Sequence, residues 1–264
     1  MTSDEAALLT IERLAHDAPR LSIGILTADL IHLGAEVELL ERCGAELVHV
    51  DVMDGVYCPQ LTVGPAFVGA LRTSLLKDVH VMVEDPLSKV DSIVAAGADI
   101  ITLHVEHASQ PHRVFRVLGE AENSNDPMRG IVRGIGLTPS MPVESLEPYL
   151  DEVDLVVVLA VDPGWSGQSF IPSTVRRIAH VREMAQRSGR RMLIAVDGGV
   201  TQANVLELKP LGLDLIVAGS AIFDGRDANA NARRMLAEVA QMRRPQDEPS
   251  SAVAGPTAAA STTR

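Results

Sequence analysis

Short apolar runs punctuate the chain at residues 21–26, 47–52, 79–83, 100–104, 132–137, 155–161, 192–196 and 215–218. Each is followed by a stretch whose apolar positions recur at helical spacing. Strands separated by helices build parallel β units, because a parallel partner is reached only by a long crossover. Eight such units within about 200 residues is the count that closes a (β/α)8 TIM barrel, an α/β fold of one domain. A doubly wound open sheet satisfies the same alternation. The joints repeat as well. Cys43-Gly44-Ala45-Glu46-Leu47, Ala96-Gly97-Ala98-Asp99-Ile100 and Leu211-Gly212-Leu213-Asp214-Leu215 each place a glycine just ahead of an apolar run. Glycine there can take the left-handed conformation that ends a helix.

Outside this alternation, residues 4–16 have helical spacing with Ser3 or Asp4 as N-cap. They predict an extra N-terminal helix packed on a barrel end, within an extension of residues 1–19. Residues 120–129 are polar and turn-rich and predict a surface loop before the fifth strand. The last helix is expected to end near Arg243. Residues 244–264 are rich in Pro, Ser, Ala and Thr without apolar periodicity, which predicts a disordered C-terminal tail after a barrel domain of residues 20–243.

Composition narrows the class of partner. The 264 residues are 46% hydrophobic and 22% charged, enough to bury a large core. With 23 basic against 35 acidic residues the net charge is −12, which argues against nucleic-acid and anionic-membrane binding. A local amide-lined pocket can still hold an anion. Cys43 and Cys58 lack disulfide-framework or zinc spacing. No apolar run has the length of a membrane span and the first residues are acidic rather than signal-like, so a cytoplasmic location is expected.

The chemistry gathers at the ends of the runs. In His49-Val50-Asp51-Val52-Met53-Asp54-Gly55, side chains at i and i+2 of a strand share a face, so His49, Asp51 and Met53 converge while Val50 and Val52 pack the other way. Other ionisable groups at strand ends are His80, His104, Glu106, Asp162 and Asp197. His49, Asp51, His80 and Asp197 together form an N2O2 donor set suited to one divalent metal cation, Zn2+, Fe2+, Mn2+ or Co2+. Taken alone, His80 in an apolar strand reads more readily as a satisfied core histidine than as a ligand. Three glycine-rich segments follow strands six, seven and eight: Asp162-Pro163-Gly164-Trp165-Ser166-Gly167-Gln168, Asp197-Gly198-Gly199 and Ala218-Gly219-Ser220-Ala221. Their amides, with those of a short helix expected after strand eight, can surround a phosphate without a cationic side chain. Each taken singly could be only a tight turn.

These motifs, with Gly24-Ile25-Leu26-Thr27-Ala28-Asp29 and Val79-His80-Val81-Met82-Val83, resemble the ribulose-phosphate 3-epimerase family over about residues 20–240. The resemblance implies a metal-dependent barrel of the pentose phosphate pathway that inverts C3 of a ketose phosphate through an enediolate. It places the metal ligands on His49, Asp51, His80 and Asp197, and the two acid/base carboxylates on Asp51 and Asp197. It places the substrate collar on Gly24, Met53 and Met82, and phosphate and lid contacts on Gly164, Trp165, Ser166, Gly167, Gly198, Gly199, Gly219 and Ser220. The implied substrate is D-ribulose 5-phosphate, giving D-xylulose 5-phosphate, and the implied assembly is a homo-oligomer, dimer or hexamer.

The chain departs from the family pattern at the rim. Gly24 stands at the usual serine, and Val56-Tyr57-Cys58-Pro59-Gln60 stands where His, Phe, Val, Pro and Asn are usual. Leu159-Ala160-Val161 replaces Met-Thr-Val, Trp165-Ser166 replaces Phe-Gly or Phe-Ala, and Ala195 replaces an acidic residue. Another ketose phosphate, such as allulose 6-phosphate or a tetrulose phosphate, is therefore the alternative substrate. A non-catalytic sugar-phosphate-binding barrel is the alternative from another class. Barrel decarboxylases and aldolases would be expected to carry a strand-end lysine, and Lys77, Lys89 and Lys209 all read as outside the strand ends.

Overall fold

The computed structural model describes residues 2–243; the tail expected for residues 244–264 lies outside them. The apolar runs form β1 (Arg20–Gly24), β2 (Leu47–Met53), β3 (Leu76–Met82), β4 (Ile100–Leu103), β5 (Val132–Leu137), β6 (Leu155–Leu159), β7 (Leu193–Asp197) and β8 (Leu215–Ala218). Each strand pairs in parallel with the next, and β8 returns to β1, so the sheet closes and the open-sheet alternative falls away. Helix α1 (Ser3–Ala15) precedes β1. The crossovers carry α2 (Leu33–Cys43), α3 (Pro65–Ala70), α4 (Val90–Ala95), α5 (Pro111–Glu120) and α6 (Thr174–Ser188), and α7 (Ala228–Ala240) follows β8. Gly44, Gly97 and Gly212 at the helix-to-strand joints have φ of 85°, 80° and 58°, the left-handed conformation expected of them. No helix among the described residues is long and apolar enough to cross a membrane.

Two crossovers differ from the expected helices. After β5 and β7 the chain forms 3-10 helices, Val143–Tyr149 and Val205–Leu211, which contain Pro148 and Pro210. Proline has no N–H to donate and crowds the preceding turn, so neither segment extends as an α-helix.

Alternate strand residues face opposite ways. Outward-facing Ile23, Val48, Val50, Val79, Val81, Val156, Ile194 and Ile216 pack beneath the helices in the main core. Inward-facing Leu47, Leu76, Ile100, Leu155, Leu193 and Leu215 form a second core, which also takes in Ile11 and Leu14 of α1. The extra helix thus closes the amino-terminal mouth of the barrel. It begins from a Thr2/Glu5 capping box, one residue before the expected cap.

Above that layer the interior turns polar. The strand register sets Gly24 beside His49, His49 beside Asp78, Asp51 beside His80, Met53 beside Met82 and Leu159 beside Asp197. Two expectations need correction. Strand β3 starts at Leu76 rather than 79, so Lys77 lies within the strand rather than outside it. It sits at the amino-terminal end, far along the strand from the polar rim, and its Nζ donates to the carbonyls of Val68 and Ala96 at 2.9 and 3.3 Å. The loop 120–129 is not wholly superficial either. Asn123 is buried and its amide donates to the Asp99 carboxylate and the Gly130 carbonyl, both at 2.9 Å.

Candidate active site

His49 and Asp51 project from one face of β2, His80 faces inward from β3 in register with Asp51, and Asp197 ends β7. Their ligand-capable atoms all lie within 4.8 Å of one another. His49 Nε2 is 3.3 Å from Asp51 Oδ1, and His80 Nδ1 is 3.2 Å from Asp197 Oδ2 and 3.6 Å from Asp51 Oδ1. Both imidazoles are buried, the carboxylates partly so. His80 Nδ1 makes no hydrogen bond although it faces two carboxylates. A bare lone pair there would be repelled, so the arrangement calls for positive charge between the groups. Two imidazole nitrogens and two carboxylate oxygens in such a cluster fit one divalent cation.

The electrostatics agree. Burial works against a charged His49, but the carboxylates of Asp78 and Asp51 outweigh it and hold the imidazole well above its ordinary value. Burial likewise opposes charge on His80, while Asp197 and Asp51 raise it to about 9. Asp51, raised by burial, is lowered on balance by His49 and His80. Protons on the imidazoles, or a cation on the same atoms, supply what the carboxylates demand.

Beneath the cluster, Asp78 Oδ2 accepts hydrogen bonds from Ser22 Oγ at 2.7 Å and His49 Nδ1 at 2.8 Å. This pins His49 with Nε2 toward the cluster, the usual way a carboxylate orients a metal-binding histidine. Asp78 and Ser22 were not anticipated. Asp78 sits at i−2 from His80, so the face-sharing rule that linked His49 to Asp51 would have found it had β3 been started at Leu76. Of the other strand-end groups, Asp162 lines the same cleft, and none is among the four clustered ligand-capable residues. Asp54 accepts the amides of Val56 and Tyr57 at 2.9 Å and of Glu84 at 2.8 Å, shaping the loop after β2. His104 lies behind His80, with their Nε2 atoms 2.9 Å apart.

All four cluster residues line one cleft at the carboxyl ends of the strands. So do Gly24, Met53 and Met82, the segment Gly164-Trp165-Ser166-Gly167, and Gly198, Gly199, Gly219 and Ser220. The space over the cleft amounts to about 710 Å3, open solvent included. Among the described residues no lysine or arginine lines it. Gly198 and Gly199 have φ of 96° and 66°, and a Cβ on them would lie 2.3 Å from Val161 Cγ2 and 2.5 Å from the Phe170 amide nitrogen. Only glycine fits at either position. Instead of the short helix expected after β8 there is one turn, with the Gly219 carbonyl accepting from Ile222 and Phe223. Leu26 and Thr27 also line the cleft, and the Thr27 Oγ1 is buried without a partner. Neither residue was anticipated; a hydroxyl three residues past the strand-end Gly24 was the available signal.

The chain matches the model of the ribulose-phosphate 3 epimerase family over residues 20–223. It belongs to that family. Ribulose-5-phosphate-3-epimerase, chloroplastic, of Arabidopsis thaliana is 39% identical over 219 residues, 82% of this chain and 76% of that one. Ribulose-phosphate 3-epimerase of Bacillus subtilis (strain 168) is 39% identical over 206 residues, 77% and 91% of the two chains. KGPDC from Streptococcus mutans, a solved structure, covers 85% of this chain and 98% of its own with a TM-score of 0.57. At 15% identity that likeness shows a common barrel alone. As a member of the ribulose-phosphate 3-epimerase family the protein is an isomerase, a pentose-phosphate epimerase.

Proposed function

We propose that this epimerase interconverts D-ribulose 5-phosphate and D-xylulose 5-phosphate, with Asp51 and Asp197 as its two proton carriers. The observation that carries the reading is the meeting of two carboxylates, from β2 and β7, at one buried pair of imidazoles inside a glycine-lined cleft. The C3–H bond of the substrate is acidified by the C2 carbonyl. One carboxylate, ionised, takes that proton as the C3–H pair forms the C2=C3 bond and the carbonyl π pair moves onto the C2 oxygen, giving an enediolate. The other, protonated, returns a proton to the opposite face of C3, so protons balance and configuration inverts. A divalent cation held by His49, Asp51, His80 and Asp197 would supply Lewis-acid stabilisation of the charge on the sugar oxygens.

The rest is done by the chain's own groups. Met53 and Met82, both buried, give the site an apolar collar that limits water near the enediolate. Amides of Gly198, Gly199, Gly219 and Ser220, with the segment 164–167 folding over, hold the phosphate. Gly24 favours a second reading, the same inversion on another ketose phosphate such as allulose 6-phosphate or a tetrulose phosphate, because one hydroxyl contact to the sugar is missing. Comparing kcat/KM across these substrates separates the two.

Turnover of ribulose 5-phosphate in D2O should place deuterium at C3 of the product. Lack of exchange at saturating divalent metal would overturn the proposal, and inactivity on every ketose phosphate tried would favour a sugar-phosphate-binding barrel. Chelation should abolish turnover and added metal restore it. Asp197→Asn should keep the fold by circular dichroism while kcat falls roughly 100- to 10,000-fold, the range for loss of a general acid or base.

A further inference from the structure

Behind His80 lies a run of polar groups that the reaction as described does not use. His80 Nε2 is 2.9 Å from His104 Nε2, His104 Nδ1 is 3.4 Å from Glu106 Oε1, and Tyr57 Oη donates to Glu106 Oε1 at 2.8 Å. His104 is fully buried and its ring stacks on that of His80 with centroids 5.1 Å apart. Strand β5 makes the space for it, since a Cβ on Gly136 would stand 2.4 Å from His104 Cε1. The ring of Tyr57 covers the other side, 5.0 Å away.

The neighbours of this run favour one direction through it. His104 Nδ1 is buried, 3.4 Å from Glu106 Oε1 and without a formed hydrogen bond; a carboxylate only accepts, so this neighbour favours a proton on Nδ1 over a lone pair. His104 Nε2 is then an acceptor, and the proton in the 2.9 Å contact belongs to His80 Nε2. In the neutral ring the remaining nitrogen of His80, Nδ1, then has its lone pair toward Asp51 and Asp197, free for a cation to take the place of a proton there. The opposite tautomers would turn a lone pair of His104 on the Glu106 carboxylate and block His80 Nδ1 with a proton.

We propose that Tyr57, Glu106 and His104 are positioning residues that fix the tautomer and orientation of His80, presenting its Nδ1 to a divalent cation. The inference rests on reading His49, Asp51, His80 and Asp197 as a cation site. It gives Tyr57 a role specific to this chain, because the usual family residue at that position is Phe, and the hydroxyl ties the substrate-side loop 56–60 to the back of the metal cluster.

Histidine 15N spectra of the Zn2+-loaded protein should show protonation of His104 at Nδ1 and of His80 at Nε2. Competition against a chelator should show His104→Phe weakening Co2+ binding roughly 10- to 100-fold, with shifted visible bands of the bound ion. His104→Gln, which retains an acceptor oxygen, should recover part of that loss, and Tyr57→Phe should weaken binding less but in the same direction. Reversed tautomers, or a folded His104→Phe protein that binds Co2+ as wild type does with unshifted bands, would overturn the proposal. If His104→Phe does not fold, the wild-type tautomers and Tyr57→Phe decide. Wild type that takes up neither ion would instead bring down the cation-site reading and the proposal with it; normal uptake with unaffected variants removes the outer chain alone.

Discussion

A side chain fits at position 24: its Cβ would stand 3.4 Å from Gly219 Cα, ordinary contact. Gly24→Ser should therefore add a hydroxyl at the cleft without strain. If the sugar of ribulose 5-phosphate lies there, KM should fall severalfold, the worth of one hydrogen bond at about 0.5–1.5 kcal/mol. An unchanged KM with a gain on another ketose phosphate would favour the second substrate. Glu106 yields a pH test. Burial raises its carboxyl but His104 and Tyr57 bring it down to about 2, below its ordinary 4.5. A depressed folded-state value adds stability that is complete above the unfolded value and is lost as pH falls through the folded one. The stability gap between wild type and Glu106→Gln in urea unfolding should hold steady above pH 4.5 and close toward pH 2. At this scale the sequence was informative where period and position agreed. His49, Asp51, His80 and Asp197 stand inward at the carboxyl ends of strands, which is a rule of the fold. Ser22 and His104 meet their partners across strands, a pairing no local pattern records, and Asp78 shares a face with His80 only once β3 is begun at Leu76.

Among the elements, α1 carries a clear energetic expectation. Leu14 is 1% exposed and packs with Ile11 against the inner ends of the strands. Leu14→Ala should cost about 2–5 kcal/mol by denaturant unfolding, as core truncations do. A cost well below that range would mean the helix only rests on the barrel. The strands were readable from their apolar runs, and their joints from Gly44, Gly97 and Gly212. The start of β3 was not, because Lys77 and Asp78 look like a loop until Val68, Ala96, Ser22 and His49 are seen to satisfy them. The 3-10 crossovers hid for a related reason. Apolar spacing around Pro148 and Pro210 suits an α-helix, while the missing N–H groups do not.

For the molecule as a whole, charge and cleft chemistry point the same way. The chain has a net charge of −12, and among the described residues the cleft has no basic lining other than its histidines. On the proposed reading a sugar phosphate would be captured by amides and the cation site, since no long-range cationic field is present to draw it in. Raising ionic strength toward 0.15 M, where the Debye length is about 8 Å, should leave kcat/KM unchanged or increase it; a steep fall would reveal a cationic funnel. Ile11 and Leu14 have one more consequence. With the barrel's drain stoppered by α1, the cluster communicates with bulk water through the upper mouth, beneath the segment 162–168 that Gln168 staples to its own carbonyls. For the proposed cation site, the rate at which a small chelator removes the ion should therefore report how readily segment 162–168 gives way, whether or not a sugar is ever turned over.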